Sequence, residues 1–430
     1  MWDQLPELVL TEIFKHLTRR DQVNSGKVCR SWNQALASPL LWRSVKVIID
    51  VDVCGGFPLA KQLAVKYGQH MRRLELAWSR PYVLPRETRI TCNAQAEGGA
   101  EFLIVIKEKD VQLQELILTN WVFSSKWGNR GKLLSTLANF LSSQQNLETL
   151  SLLNANLGVS DVLRILGATI QSCGNNLTFL DLRGAFKEWH APHSNPRYLR
   201  LLGRLQALVM LSLDYPALSG GTLNALASAA PSMLRTLHIS VRDSDSRQHT
   251  IANAAWHELS LACPKLIVSY TIMNISHYED MYYLLLPSVP LGSFQMYSGH
   301  VWDQSRSRNF RSTIGLLIMH YTDTLARVML QLQNNRELLD DLLITLLLRC
   351  KQLTQLQYDG ILRNLDTLRE ICQIQADRKT CFRRINVKPR NVSTQNRAIL
   401  DDISYQYNHV MAQQGVDFRI EDSASVLTFY

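Results

Sequence analysis

The sequence predicts an α/β protein in two parts. A short N-terminal module of three helices comes first, then a solenoid of about ten strand–helix units, with parallel strands on its concave side and helices on its convex side. Three observations carry that expectation. Apolar residues over positions 5–42 recur at helical spacing. From residue 71 onward the pattern L-x-x-L-x-L, with apolar substitutions, keeps returning, and from Leu147 to Phe382 its mean period is about 29 residues. Between successive copies lie stretches patterned as amphipathic helices.

In the module, Leu5, Leu8, Ile13, Phe14 and Leu17 mark a first helix, with Pro6 suited to its first turn. Asp21 is placed to cap a second, which carries Val28, Cys29 and Trp32, and a third short segment holds Leu36, Leu40, Leu41 and Trp42. A unit of about 45 residues encloses little core of its own. Leu5, Leu8, Ile13, Phe14, Val28, Trp32 and Trp42 are too many for one small interior, so the module is expected to lean on the rest of the chain or on a partner. A docking module explains the surplus better than a simple capping bundle does.

The repeat reads Met71-Leu74-Leu76, Leu113-Leu116-Leu118, Leu147-Leu150-Leu152, Leu177-Leu180-Leu182, Leu208-Leu211-Leu213 and Leu234-Leu237-Ile239. After a degenerate copy at Leu266, where Ser269 replaces the second leucine, come Leu291-Phe294-Met296, Leu325-Val328-Leu330, Leu353-Leu356-Tyr358 and Phe382-Ile385-Val387. Each strand and helix has one apolar face it cannot bury alone, so the units must stack, as leucine-rich repeats do. Strands stack about 4.8 Å apart and helices about 8–10 Å, which predicts an arc with the strands inside. Cys173, Cys263 and Cys350 fall three or four residues before a strand's first apolar position and read as a recurring packing slot. The long step from Met71 to Leu113 predicts a loop insertion near 83–101, including Gly98 and Gly99. The expected division is therefore 1–45 for the helical module, 46–110 for a linker and irregular first unit, and 111–430 for the regular repeats with a C-terminal cap.

Composition narrows the function. With 46% hydrophobic and 19% charged residues the chain is neither disordered nor fibrous, and no apolar run approaches the roughly 18 residues of a membrane span. The eight cysteines form no C-x-x-C pair, and no leader opens the sequence, so reduced thiols and a cytoplasmic and/or nuclear setting are expected. A net charge of +9 permits a nucleic-acid partner without demanding one, and nucleic acid is not the expected ligand. There is no phosphate-binding glycine loop, and His190 and His193 lack the further ligands of a metal site. No catalytic residue, cofactor or metal is expected.

Residues Leu5 to Asp21, LPELVLTEIFKHLTRRD, and Lys27 to Arg43, KVCRSWNQALASPLLWR, resemble the F-box in their LP, VCRxW and LWR elements and in their order. Gln22 departs from the family's usual leucine, which predicts weaker local packing. The rest of the chain is similar to the leucine-rich repeats of many F-box proteins. The resemblance implies a non-catalytic substrate receptor of an SCF-type ubiquitin ligase, held by a Skp-type adaptor and through it by a cullin and a RING subunit, with an unknown protein as substrate. A non-degradative binding scaffold using the same adaptor is the alternative. Carried onto this sequence, the adaptor contact falls on Leu5, Pro6, Leu8, Ile13, Phe14, Val28, Trp32, Leu41 and Trp42.

Two features of the repeats are candidates for substrate binding. Aromatic residues crowd the loops after the strands: Trp78 and Tyr82, then Trp121, Phe123 and Trp127, then Phe186 and Trp189, then Tyr297 and Trp302. Such rings would line one rim of the stack, as hot-spot residues do. The outward positions of the last clear strand are basic, with Arg383 and Arg384 beside Arg378, Lys379, Lys388 and Arg390, and would suit an acidic or phosphorylated segment.

Overall fold

The structure is a computed structural model that describes residues 4–53, 59–78, 89–121, 130–187, 191–229, 231–245, 249–275, 278–298, 309–335, 337–390 and 392–421. It divides into two units, Met1–Val209 and Met210–Tyr430.

The module forms four short helices where three were expected. α1 (Glu7–Lys15) starts behind Pro6, and α2 (Arg19–Ser25), α3 (Arg30–Leu36) and α4 (Pro39–Trp42) follow. The cap of α2 is Thr18, one turn before the predicted Asp21. Its hydroxyl accepts from the Asp21 N–H and donates to the Asp21 carboxylate at 2.6 Å, a reciprocal arrangement that satisfies an orphan helix donor. Gln22 is buried, and its Nε2 donates to the Phe14 carbonyl at 2.6 Å, so this polar substitution closes the end of α1 instead of weakening it.

The parallel ladder begins at once, and residues 46–110 are no linker. β1 (Ser44–Ile48) leads through a π turn at Ile49–Val53 to α5 (Leu59–Tyr67) and β2 (Arg73–Ala77). Then come α6 (Arg89–Glu108), β3 (Glu115–Thr119), α7 (Arg130–Leu141), β4 (Thr149–Ser151), α8 (Val159–Cys173), β5 (Phe179–Asp181) and α9 (Pro196–Leu202). β1 to β5 pair in parallel and in chain order, with Val45, Leu74, Leu116, Leu150 and Leu180 forming one buried column. Successive helices α5 to α9 pack on one another, as stacked strand–helix units must.

The predicted insertion loop is helix from residue 89 onward. Ala96, Ala100, Leu103 and Ile106 face inward at helical spacing, and Gly99 lies where a Cβ would sit 3.2 Å from Leu133 and 3.3 Å from Ile49. Small residues that read as a break are there for close helix contact.

The second unit repeats the design. β6 (Met210–Asp214), α10 (Gly220–Ala229), β7 (Thr236–Arg242), α11 (Asn253–Ala262), β8 (Ile267–Met273), α12 (Met281–Leu284) and β9 (Leu291–Tyr297) come first. α13 (Phe310–His320), β10 (Arg327–Gln331), α14 (Asp340–Arg349), β11 (Gln355–Gly360), α15 (Asp366–Ala376), β12 (Arg384–Pro389), α16 (Thr394–Gln413) and β13 (Asp417–Ile420) complete it. One buried column runs Leu213, Ile239, Tyr270, Phe294, Val328, Leu356 and Ile385, and ends on half-buried Phe418. The degenerate copy marks a register shift between Val268 and Ser269: Val268 and Tyr270 enter the core, and Ser269 between them is buried as well. Gly292 absorbs the shift, since a Cβ there would lie 2.6 Å from Ile267. The packing slot holds Cys173, Cys263 and Cys350, all buried, and in another unit Gln144, whose amide binds the Leu113 N–H and the Val111 carbonyl of the preceding unit.

Candidate protein-docking surfaces

The module carries apolar side chains in two directions. Leu10 and Phe14 of α1 enter an interior completed by Ala35, Leu36, Leu41, Trp42 and Tyr67, with Leu5, Leu17, Trp32 and Leu63 packed against it. On other faces Leu8 is 74% exposed, Val28 64%, Leu40 50%, Val9 43% and Ile13 40%, and Pro6 is exposed beside them in sequence. Each such side chain would gain about 1.5–3 kcal/mol on full burial against a partner.

The nine residues assigned to adaptor contact therefore separate. Pro6, Leu8, Ile13 and Val28 are at the surface, and Leu5 and Trp32 are half-buried, with Trp32 edge-on to Phe14 at 5.5 Å. Phe14, Leu41 and Trp42 are a correction: they are 1%, 4% and 1% exposed and sit in the core that the module shares with α5. The Trp42 indole N–H donates to the Leu36 carbonyl at 2.6 Å. Its position explains its direction. Trp42 stands three residues before Val45, as Met71 does before its register partner Leu74, so it is the first apolar position of the first repeat. Val9 and Leu40 were missed, although the helical spacing of Val9 to Ile13 made a second stripe on α1 visible.

The aromatic rim fares differently from the expectation. Trp121 is fully buried and its indole N–H donates to the Leu76 carbonyl at 2.8 Å, so the ring folds back under β2 and is no hot spot. Trp78 is buried as well. Tyr82, Phe123, Trp127, Trp189 and Trp302 lie outside the described residues. Phe186 is half-buried, edge-on to Tyr198 at 6.1 Å. Tyr297 is half-buried at the end of β9, and its hydroxyl donates to the Met329 sulfur at 3.0 Å.

The basic end of the repeats is largely neutralised. Arg383 and Arg384 are exposed, but Arg384 is paired with Asp417 at 3.0 Å, and Arg419 meets the same carboxylate at 3.1 Å. Hydrogen bonds from Arg419 and then Arg384 hold the Asp417 carboxyl below its ordinary range. Arg390 is paired with Asp359, and Lys388 with Glu421. Among the described residues no three His, Cys, Asp or Glu side chains converge as a metal set, and no helix is long and apolar enough to cross a membrane.

Residues 2–47 match the family described as F-box-like. The chain is 26% identical to F-box/LRR-repeat protein 8 of Homo sapiens over 298 residues, which is 68% of this chain and 74% of that one. It is 26% identical to F-box/LRR-repeat protein 21 of Mus musculus over 294 residues, covering 65% of this chain and 62% of the relative. The Bos taurus protein of the latter name is 24% identical over 366 residues, 83% of this chain and 76% of its own. A helical module that matches the F-box, leading without a linker into stacked parallel strands and helices, makes this chain an F-box protein with leucine-rich repeats.

Proposed function

We propose that this chain is the substrate-recognition subunit of an SCF-type ubiquitin ligase. One observation carries the reading: the interior of the F-box-like module is closed with the help of Tyr67 and Leu63 of α5, and Leu8, Val9, Ile13, Val28 and Leu40 are still left exposed. A Skp-type adaptor would cover these side chains and link the chain to a cullin and a RING subunit. The repeats would then hold the target protein close to the ubiquitin-loaded partner enzyme. The chain itself would make no bond; it would raise the local concentration of acceptor lysines. Cytoplasm or nucleus suits the buried, reduced thiols of Cys173, Cys350 and Cys372.

Co-expression with a Skp-type adaptor tests the reading. A stoichiometric complex on size exclusion, which recruits a cullin and is lost on Leu8→Glu with Val28→Glu, is the expected result. A full chain that remains monodisperse alone and ignores the adaptor would refute it. If the complex forms but cullin inactivation stabilises no bound protein, the non-degradative scaffold is the better reading.

A further inference from the structure

On the outward face of the second unit's sheet, six side chains stand in register across β7 to β12: Ser240, Thr271, Gln295, Met329, Gln357 and Asn386. None carries a formal charge, and five can form hydrogen bonds. At about 4.8 Å per strand the row is about 24 Å long, the reach of about seven residues of extended chain. Asp214 of β6 continues it at one end and Arg419 of β13 at the other. Ser240 is recessed and the other five are half-buried, so the row is a strip with partly ordered side chains rather than a fringe of free ones. Neighbours help to fix it: Thr271 Oγ1 lies 3.0 Å from His238 Nε2, and the Tyr297 hydroxyl rests on the Met329 sulfur.

The charges beside this strip are mostly engaged with one another. Arg384 and Arg419 share Asp417, Arg390 is on Asp359, and Lys388 is on Glu421. Arg327 is exposed in the adjoining row, between Ser293 and Gln355. Tight capture of a phosphate calls for converging charged donors in bidentate geometry. Here that would require breaking the pairs on Asp417. A basic charge laid over Gln295 and Met329 would lose water without gaining a counter-charge, and an acidic one would meet the single charge of Arg327 in the adjoining row.

Resting on the receptor reading above, we propose that this row takes an extended, unphosphorylated segment of the target protein, neutral at its centre and read by hydrogen bonds. Charge complementarity orients it: an acidic residue of the segment belongs over β12 and β13, beside the two arginines that share one carboxylate.

The test uses the full chain purified with its adaptor and a phage-displayed library of random peptides about twelve residues long, enough to span the row and free of phosphate. The selected peptides are expected to be rich in Ser, Thr, Asn and Gln, with net charge near zero and weak salt dependence. Gln295→Ala with Gln357→Ala should weaken their binding about tenfold, the value of two modest hydrogen bonds, with the melting temperature unchanged. Met329→Lys, which puts a charge at the centre of the row, should weaken it at least as much. Selection of Asp/Glu-rich peptides with steep salt dependence would overturn the proposal. So would indifference to these substitutions, a failure to select any peptide, or a tenfold gain when a selected serine is phosphorylated. Adaptor retention is scored on the same sample: its loss refutes the receptor reading, whereas loss of peptide binding with the adaptor retained refutes only the row.

Discussion

The Trp42 indole lies flat on the Tyr67 ring, with centroids 4.3 Å apart and planes 6° from parallel. Trp42 ends the F-box-like module, and Tyr67 ends α5, the first helix of the repeats. One side chain thus belongs to two patterns at once: it is the tryptophan of the LWR element and the first apolar position of the first strand unit. The module and the repeats share a core, and the usual picture of a docking domain on a tether does not apply to this join.

Trp42→Ala should consequently damage both sides. Removing a fully buried tryptophan costs about 3–5 kcal/mol. Hydrogen-exchange protection over α1 to α4 should fall together with that of α5, and Trp42→Phe should restore most of it. If the alanine variant kept full protection in α1 to α4, the shared core would be wrong.

The exposed set predicts the opposite behaviour. Leu8→Glu and Val28→Glu replace side chains that are 74% and 64% exposed, so stability should stay within about 0.5 kcal/mol while adaptor binding is lost. Phe14→Ala, by contrast, should lower the denaturation midpoint first, with a cost of about 3–5 kcal/mol. Adaptor titration by calorimetry on the natively folded variants separates the two effects. Unchanged affinity in the glutamate pair would move the contact elsewhere.

Eleven strands, β2 to β12, were legible because alternating leucines leave little choice of face. β1 was not, since Trp42 and Leu41 had already been spent on the helical module. β13 was hidden because Gly415, at φ 71°, stands where the pattern's first apolar residue belongs and instead ends α16. On α1 the apolar residues run around most of the helix, and spacing alone does not say whether Leu10 with Phe14 or Val9 with Ile13 turns inward. The rim tryptophans failed for a related reason. Composition places a ring in a loop, but the carbonyl its N–H finds, Leu76 for Trp121, decides whether it faces solvent.

The turn after β5 rests on a glycine that sequence alone did not single out. Gly184 has φ 61°, and a Cβ there would come 2.4 Å from Asn154 Oδ1 and 3.0 Å from the Asn154 Cα. Asn154 is itself left-handed at φ 54°, and its N–H is held by the Arg183 carbonyl at 2.9 Å. Gly184→Ala should therefore cost about 1–3 kcal/mol, from backbone strain and from the displaced neighbour. The urea midpoint reads it, and an unchanged midpoint would show that the turn relaxes freely.

Alkaline pH should destabilise the repeats through their packing-slot and helix thiols. Burial, and then the charge of Asp323, pushes the Cys350 thiol up to about 11; burial alone pushes Cys372 to about 12. In the unfolded chain both ionise near about 8.5. A folded-state value raised above the unfolded one means stabilisation that is complete below about pH 8.5 and is lost progressively as pH rises toward 11 to 12. Buried Tyr321 and Tyr358, raised for the same first reason, extend the loss to higher pH. The urea midpoint should thus fall between pH 8.5 and 11, and Cys350→Ala with Cys372→Ala should flatten that slope. At pH 8 iodoacetamide should label exposed Cys381 in the native protein, and Cys350 and Cys372 only at the rate of unfolding. Native labelling of the latter two as fast as Cys381 would mean that the stack opens locally and that their burial does not hold in solution.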